Sequence, residues 1–418
     1  MPSKPSVEGD VRAVGRGGDA VVETPNGVVL VPGALPGERI ELALTSSKRG
    51  AARGHLTRVL HAAPGRQAPP CADASRCGGC PLMIASSELQ RDIKRGFLRD
   101  ACRELPGADD TEIEWVASAA TLAYRRRARL AWHRDAIGYR KLHSKQVTDI
   151  GECIVLVQPL REGWTAVREC LSSSLRGAGE IQLQLTGTAR VVVDLYANAD
   201  QAPELFEACD ALCQRPVIAG VTLRTSDTGR PATWGETHVV IPMEEGAALE
   251  GPAGAFSQAN DGVNTRLVEA VVELAEPSGL RVLELHAGIG NFTVGLAAHA
   301  KTLVAVEQDP RAVEACQGNL KRRGLQARVA VGDATQPPKG RYDVVVLDPP
   351  RQGAKELFER SDVLPGPKRV IYVSCDTATL ARDLRLATAK GYRVDRLIGF
   401  DMFPHTAHLE SLVRLVRV

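Results

Sequence analysis

The chain has 418 residues, of which 44% are hydrophobic and 24% charged, with a formal net charge of +2. At about 100–200 residues per domain, that length predicts roughly two to four domains with sizeable cores. The composition argues against wholesale disorder, and no uncharged apolar run is long enough to read as a membrane span.

The near-neutral total conceals two basic runs. Residues 39–66 carry six Lys or Arg against one acid, and residues 121–145 carry eight against one, which together favour a polyanionic partner. The opening segment MPSKPSVEGDVRAVG shows no apolar core of a secretory signal, so a cytoplasmic address is expected. In a reducing compartment the ten cysteines read as metal ligands, nucleophiles or core fillers rather than disulfides.

In chain order, residues 1–62 hold short alternating runs, DAVVET and GVVLVPG, between Gly, Pro and Asn turns, the pattern of a small β-barrel. With Lys48, Arg49, Arg53 and Arg58 on its later part, the barrel fits an oligonucleotide-binding (OB) fold that contacts phosphates. A Pro-rich linker over residues 62–70 leads into CADASRCGGC. There Cys71, Cys77 and Cys80 form a C-x5-C-x2-C cluster on a loop whose turns let thiolates converge on one centre. Cys153, in DIGECIV, is the first choice for a fourth ligand, and Cys102, in the helical segment SSELQRDIKRGFLRDACREL, the second. Spacing does not separate a tetrahedral zinc site from an iron-sulfur cluster. Cys170, Cys209, Cys213 and Cys316 read as core residues, Cys209 and Cys213 being four apart on one helical face. Residues 113–250 mix strands (ARLAWH, IQLQLTG, ARVVVDLY, HVVIPM) with the helix ELFEACDALCQ, an α+β block.

From about residue 255 strands alternate with helices, which predicts a parallel sheet covered on both faces. The strand RVLEL runs into HAGIGNF, so Gly288 and Gly290 stand at a strand's carboxyl end, where open α/β sheets bind ligands. Thr293 replaces the third glycine of the dinucleotide fingerprint. TLVAVE ends in Glu307, an acid placed to accept hydrogen bonds from ribose hydroxyls, and ARVAVGDA ends at Asp333, placed to meet an adenine amino group. YDVVVLDPPRQG delivers Asp348 to a corner fixed by Pro349 and Pro350. RVIYVSC brings Cys375 to the same rim, with Asp376 and Thr377 opening the next helix. That helix N-terminus is expected to expose the thiol and stabilise its thiolate.

Seven segments carry a resemblance to a known family: GVVLVPGALPGE, CADASRCGGC with Cys153, FSQAN, HAGIGNF, DPPRQG, VSCDTATLARD and DMFPHTAHLES. Over nearly its whole length the chain resembles the bacterial 23S rRNA (uracil-5)-methyltransferases, a branch of the RNA 5-methyluridine methyltransferases. The resemblance implies a TRAM-type OB-fold barrel over 1–62, a central α+β domain with an iron-sulfur loop over 63–254, and a Rossmann-like α/β S-adenosylmethionine-dependent methyltransferase domain over 255–418. It implies a [4Fe-4S] cluster on Cys71, Cys77, Cys80 and Cys153, and a cofactor site of Gln258, His286, Asn291, Glu307, Asp333 and Asp348. Cys375 becomes the nucleophile that adds to uracil C6 so that C5 can accept a methyl group. Glu410 becomes the base that removes the C5 proton.

A base inside a stacked helix must be flipped out to react, and phosphate contacts from the barrel and the YRRRAR segment are expected to offset that cost. The implied partner is 23S rRNA, with no membrane and a working monomer. A tRNA uridine and a non-catalytic RNA-binding iron-sulfur protein are the competing readings, and a zinc site on His405, His408 and Glu410 is a further one for HTAHLE. The chain departs from the family pattern at Glu284 and His286, which stand where an aspartate and an aromatic residue are usual. It departs again at Phe256-Ser257, at Asp376-Thr377, and in PLMIA after the cysteine loop.

Overall fold

The computed structural model describes residues 6–45, 51–198, 201–225, 229–360 and 366–418; Lys48 and Arg49 lie outside them. Alternation of apolar side chains turns one face inward along β1 (Ser6–Val14), β2 (Asp19–Thr24), β3 (Gly27–Pro32), β4 (Arg39–Thr45) and β5 (Ala52–His61). These strands close into a barrel in the order β1-β2-β3-β5-β4, with β1 antiparallel to β4, around Val11, Val22, Val31, Ile40 and Leu42. Buried Glu38 accepts hydrogen bonds from the Arg66 guanidinium at 2.5 and 2.9 Å, tying the barrel to the segment that follows.

Helix α1 (Ser87–Cys102) starts where the Ser86 hydroxyl accepts the Leu89 N–H. Its apolar residues serve two cores. Ile93 and Phe97 pack with Val14 of the barrel and with Leu82, while Leu98 and Cys102 join the core of the C-terminal sheet. Next come β6 (Ile113–Val116), β7 (Arg127–His133), β8 (Ala136–Arg140), β9 (Val147–Asp149), α2 (Gln158–Leu171), β10 (Ala178–Thr186) and β11 (Arg190–Ala197). They are followed by α3 (Pro203–Cys213), β12 (Ile218–Arg224), β13 (Ala232–Gly235), β14 (His238–Ile241) and β15 (Leu249–Pro252). Seven of these strands form a sheet ordered β13-β12-β11-β10-β7-β8-β9. α2 and α3 cover one of its faces around Leu130, Trp132, Trp164, Leu183 and Val193. The alternate residues Arg127, Gln182 and Gln184 occupy the other face, which meets the C-terminal region: the Gln184 amide donates to the Ser257 hydroxyl at 2.8 Å.

The last stretch comprises α4 (Asp261–Ala275), β16 (Arg281–Leu285), α5 (Thr293–Ala297), β17 (Thr302–Glu307), α6 (Pro310–Arg322) and β18 (Arg328–Val331). It continues with β19 (Val344–Leu347), α7 (Lys355–Glu359), β20 (Arg369–Ser374), α8 (Thr377–Thr388), β21 (Tyr392–Phe400) and β22 (Glu410–Arg417). The sheet order is β18-β17-β16-β19-β20-β22-β21-β6. Apolar runs such as VVVL in β19, buried throughout, suit strands covered on both faces.

The sheet departs from the all-parallel expectation in one respect. β22 runs antiparallel to both β20 and β21, because the connection at 401–409 is too short for the crossover that a parallel return needs. The edge strand is a second surprise: β6, within the segment expected to form a central α+β block, pairs parallel with β21. None of the described helices is long and apolar enough to cross a membrane.

Candidate active site

The carboxyl ends of the parallel strands meet along one edge, and five of the residues singled out in the sequence line one cleft there. Gln258, His286, Gly288, Asn291 and Asp348 line it together, with Phe256, Ser257 and Asn264. The loop after β16 turns through left-handed conformations at His286, Gly288 and Gly290, with φ of 64°, 57° and 101°. A side chain built on Gly288 would meet nothing within 4 Å, which leaves its backbone open to a ligand. Glu307, at the end of β17, folds over this loop: its carboxylate accepts the Gly288 N–H at 2.9 Å and the N–H groups of Gln308 and Asp309 at 2.7 and 2.9 Å. His286 lies within electrostatic range of Glu307 and Asp333, and burial, the largest influence, holds its pKa below the usual imidazole value. Asp333 accepts the Thr335 N–H at 2.8 Å, and this bond holds its carboxyl below the ordinary range. Asn291 exchanges reciprocal amide hydrogen bonds with Asn264 of α4, at 2.9 and 3.0 Å. Gln258 differs from these, because its Oε1 is buried and has no hydrogen-bond partner, an arrangement that costs free energy unless a ligand donates to it.

Strand register builds the second half of the site. Ser374 of β20 pairs antiparallel with Ser411 of β22, so Cys375 and Glu410, one step outward on each strand, stand across from each other. Glu410 is 2% accessible, and burial together with nearby Asp348 holds its carboxyl well above the ordinary range, opposed by Arg351. Burial likewise raises Asp348 to about 7. The Cys375 thiol is pushed up to about 12, first by burial and then by Glu410 and Asp348, again with Arg351 opposing.

That direction reverses the expectation of a thiolate stabilised by the α8 N-terminus. The Asp376 side chain already accepts the Ala378 and Thr379 N–H groups at 2.9 and 3.0 Å, so those donors are spent within the cap. Arg351, a cation whose charge acts on both Cys375 and Glu410, was not singled out in the sequence. Its signal was there, in the basic residue directly after Asp348-Pro349-Pro350.

Two other expectations change. The arginines of YRRRAR have partners within the chain, with Arg129 keeping its side chain exposed. The Arg125 guanidinium lies 5.8 Å from the Phe403 ring centre, and Arg127 lies 5.3 Å from that of Phe256. Arg126 pairs with Asp261 and donates to the Gly187 carbonyl at 2.6 Å, and Arg129 pairs with Glu180. The second-choice ligand Cys102 is buried in the core beneath the C-terminal sheet, whereas Cys71, Cys80 and Cys153 pack together around Met83, Tyr124 and Val155. Cys77 lies within electrostatic range of Cys71 and Cys153. Among the described residues no three His, Cys, Asp or Glu side chains are arranged to hold a metal ion. At HTAHLE, His405 turns to Gln90 while Glu410 faces Asp348 and Arg351.

The model of the methyltransferase small domain matches residues 247–360, and that of the tRNA (uracil-5-)-methyltransferases matches residues 339–418. Among curated proteins, the 23S rRNA (uracil(1939)-C(5))-methyltransferase RlmD of Chromohalobacter salexigens is 37% identical, over 96% of this chain and 87% of its own. The chain belongs to the RlmD family. The RlmD of Klebsiella pneumoniae is 34% identical, over 96% of this chain and 93% of its own. Across a wider distance, the crystal structure of Pyrococcus abyssi tRNA (uracil-54, C5)-methyltransferase in complex with S-adenosyl-L-homocysteine shares the fold. Its TM-score is 0.75 at 24% identity, covering 98% of this chain and 100% of that one. As an RlmD family member the chain is an S-adenosylmethionine-dependent methyltransferase, and the cleft fits such a cofactor through its open Gly288 backbone and the unpartnered Gln258 oxygen.

Proposed function

We propose that the chain methylates C5 of a uridine in 23S rRNA, the activity for which its RlmD relatives are named, with Cys375 as nucleophile and Glu410 as base. The observation that carries this reading is the β20–β22 register, which sets Cys375 across from Glu410 with Asp348 and Arg351 beside both. C5 of uracil is too weak a nucleophile to accept a methyl group unaided. The sulfur of Cys375 bonds to C6, the C5–C6 π electrons move toward the C4 carbonyl, and the thiol proton passes to Asp348, a carboxyl that titrates near neutral pH. Gln258, His286, Asn291, Glu307, Asp333 and Asp348 would hold S-adenosylmethionine, which when bound would supply an electrophilic methyl group to C5 and leave as S-adenosylhomocysteine. Glu410 then removes the C5 proton, the electrons restore the C5–C6 double bond, and Cys375 leaves as thiolate. A carboxylate whose conjugate acid is held well above the ordinary range is a stronger base for that step. Arg351 offsets the negative charge that gathers around the sulfur.

In this reading Cys71, Cys77, Cys80 and Cys153 hold a [4Fe-4S] cluster that cross-links the central region and takes no part in methyl transfer. An all-thiolate donor set suits iron-sulfur chemistry. The ligands of a cubane each bind a different iron and stand wider apart than those of one ion. The Tyr139 hydroxyl is buried beside Cys153, with which it interacts by hydrogen bonding, so it stands next to a proposed cluster ligand. The reading keeps three domains, 1–62, 63–254 and 255–418, with an OB-type TRAM barrel engaging RNA. It places a working monomer in the cytoplasm.

Transfer of labelled methyl groups to unmodified ribosomal RNA and to tRNA, with the modified site mapped, tests the proposal. Label in 5-methyluridine of 23S rRNA supports it. Label in tRNA alone moves the substrate, and label in neither, from iron-replete protein, refutes the reading.

A further inference from the structure

The loop 401–409 that delivers Glu410 is held from four sides by residues far upstream in the chain. Lys94 of α1 is completely buried, yet its Nζ donates to Asp401 Oδ1 at 2.7 Å and to the Phe403 carbonyl at 2.9 Å. One turn earlier, Gln90 Oε1 accepts the His405 N–H at 2.7 Å, while Gln90 Nε2 stands 3.2 Å from His405 Nδ1 and donates to the Ala85 carbonyl at 2.8 Å. The Leu82 N–H, just past the cysteine loop, donates to the His405 carbonyl at 2.9 Å, and the Tyr124 hydroxyl to the Pro404 carbonyl at 3.3 Å. Between these grips His405 holds φ at 68°, a conformation a non-glycine residue keeps only when its surroundings impose it.

Fold stability alone does not call for such polar machinery in a buried place. An ion pair taken out of water is often no better for stability than apolar side chains of equal volume, whereas it does fix direction and register. A loop gripped at Asp401, Phe403 and His405 can swing little at Glu410, the residue that proton removal needs across from Cys375.

We propose that Lys94 and Gln90 are positioning residues for the methylation reaction, clasping loop 401–409 so that Glu410 meets the C5 proton. The inference rests on the reading of Glu410 as base. It assigns the clasp to one step. With the clasp loosened, Cys375 still bonds to C6 and C5 still takes the methyl group. The C5 proton then stays in place, no electron pair is freed to restore the C5–C6 double bond, and the sulfur–C6 bond persists. A methylated covalent complex of protein and RNA therefore accumulates, which a merely destabilised protein would not produce.

The experiment uses the full-length, iron-replete protein as wild type, Lys94→Met, Gln90→Met and Glu410→Gln, each incubated with S-adenosylmethionine and an unmodified 23S rRNA transcript. Covalent complex is read on denaturing gels, and kcat and KM by label transfer. For both clasp variants the proposal expects kcat to fall about 10- to 100-fold, the cost of a misplacement of about 1 Å, with KM unchanged and covalent complex accumulating as it does for Glu410→Gln. Accumulation in Glu410→Gln but in neither clasp variant overturns the clasp and leaves the base assignment standing. No accumulation in Glu410→Gln removes that assignment, and the clasp with it. Should Lys94→Met fail to fold, Gln90→Met decides, because it replaces one neutral side chain by another and leaves no charge unpaired.

Discussion

Glu284 offers a test of the electrostatics beneath the cofactor loop. It sits near the carboxyl end of β16, 1% accessible, with neither carboxyl oxygen satisfied. The Thr293 hydroxyl lies beside it and eases ionisation without completing a hydrogen bond. Burial, with smaller contributions from Asp348 and Glu307, raises its carboxyl from the ordinary 4.5 to about 8. The sign follows from proton linkage: between those values the unfolded chain has lost the proton and the folded chain keeps it, so the folded state becomes less stable as pH rises. The full difference corresponds to about 5 kcal/mol at pH 8 and above, a ceiling that relaxation of the site lowers. Glu284→Gln keeps the shape and removes the titration. Asp348 and Glu410 contribute slopes of the same sign, but they remain in both proteins and largely cancel in the difference. The assay is urea unfolding between pH 5 and 8, read by hydrogen exchange of the β16 peptide so that the signal reports the C-terminal sheet. The variant should gain on the wild type steadily as pH rises. Curves that stay parallel would refute the reasoning.

Two further outcomes follow from the site. Because the Cys375 thiol is held near 12, its alkylation by iodoacetamide, followed on the Cys375 peptide by mass spectrometry, should keep rising from pH 7 to 10. A plateau near pH 8 would instead signal a stabilised thiolate. Arg126→Met removes the pairing with Asp261 and the bond to Gly187, and should cost about 1–3 kcal/mol of stability. Since Asp261, the partner left unpaired, opens α4 and lines the cleft with Gln258, calorimetry should show weaker S-adenosylhomocysteine binding; unchanged affinity would separate the strut from the cleft.

The sequence was most legible where chemistry and strand ends coincide. Glu307, Asp348 and Cys375 each end or follow an apolar strand, and a parallel sheet must bring such ends to one edge. The convergence of His286, Asn291 and Gln258 on the same cleft depended on loop geometry that resemblance supplied and periodicity did not. The antiparallel β22 and the edge strand β6 were hidden for a different reason: local pattern marks a strand but not its neighbour or its direction. The intramolecular partners of the YRRRAR arginines were hidden because charge in a sequence does not reveal whether a partner such as Asp261 or the ring of Phe403 awaits it. The clasp on loop 401–409 was invisible on the same account, as Lys94 and Gln90 lie on a helix whose composition suggests an ordinary solvated face.

The central claim is that Cys375 bonds to C6 of the target uridine before C5 changes hands, and RNA carrying 5-fluorouridine tests it most directly. Fluorine at C5 cannot be removed as a proton by Glu410, so the covalent intermediate has no exit. Protein incubated with such RNA and S-adenosylmethionine should give a complex that survives denaturation, with the nucleotide mapped to the Cys375 peptide and absent from Cys375→Ala. No complex, or one mapped to another cysteine, would contradict the account.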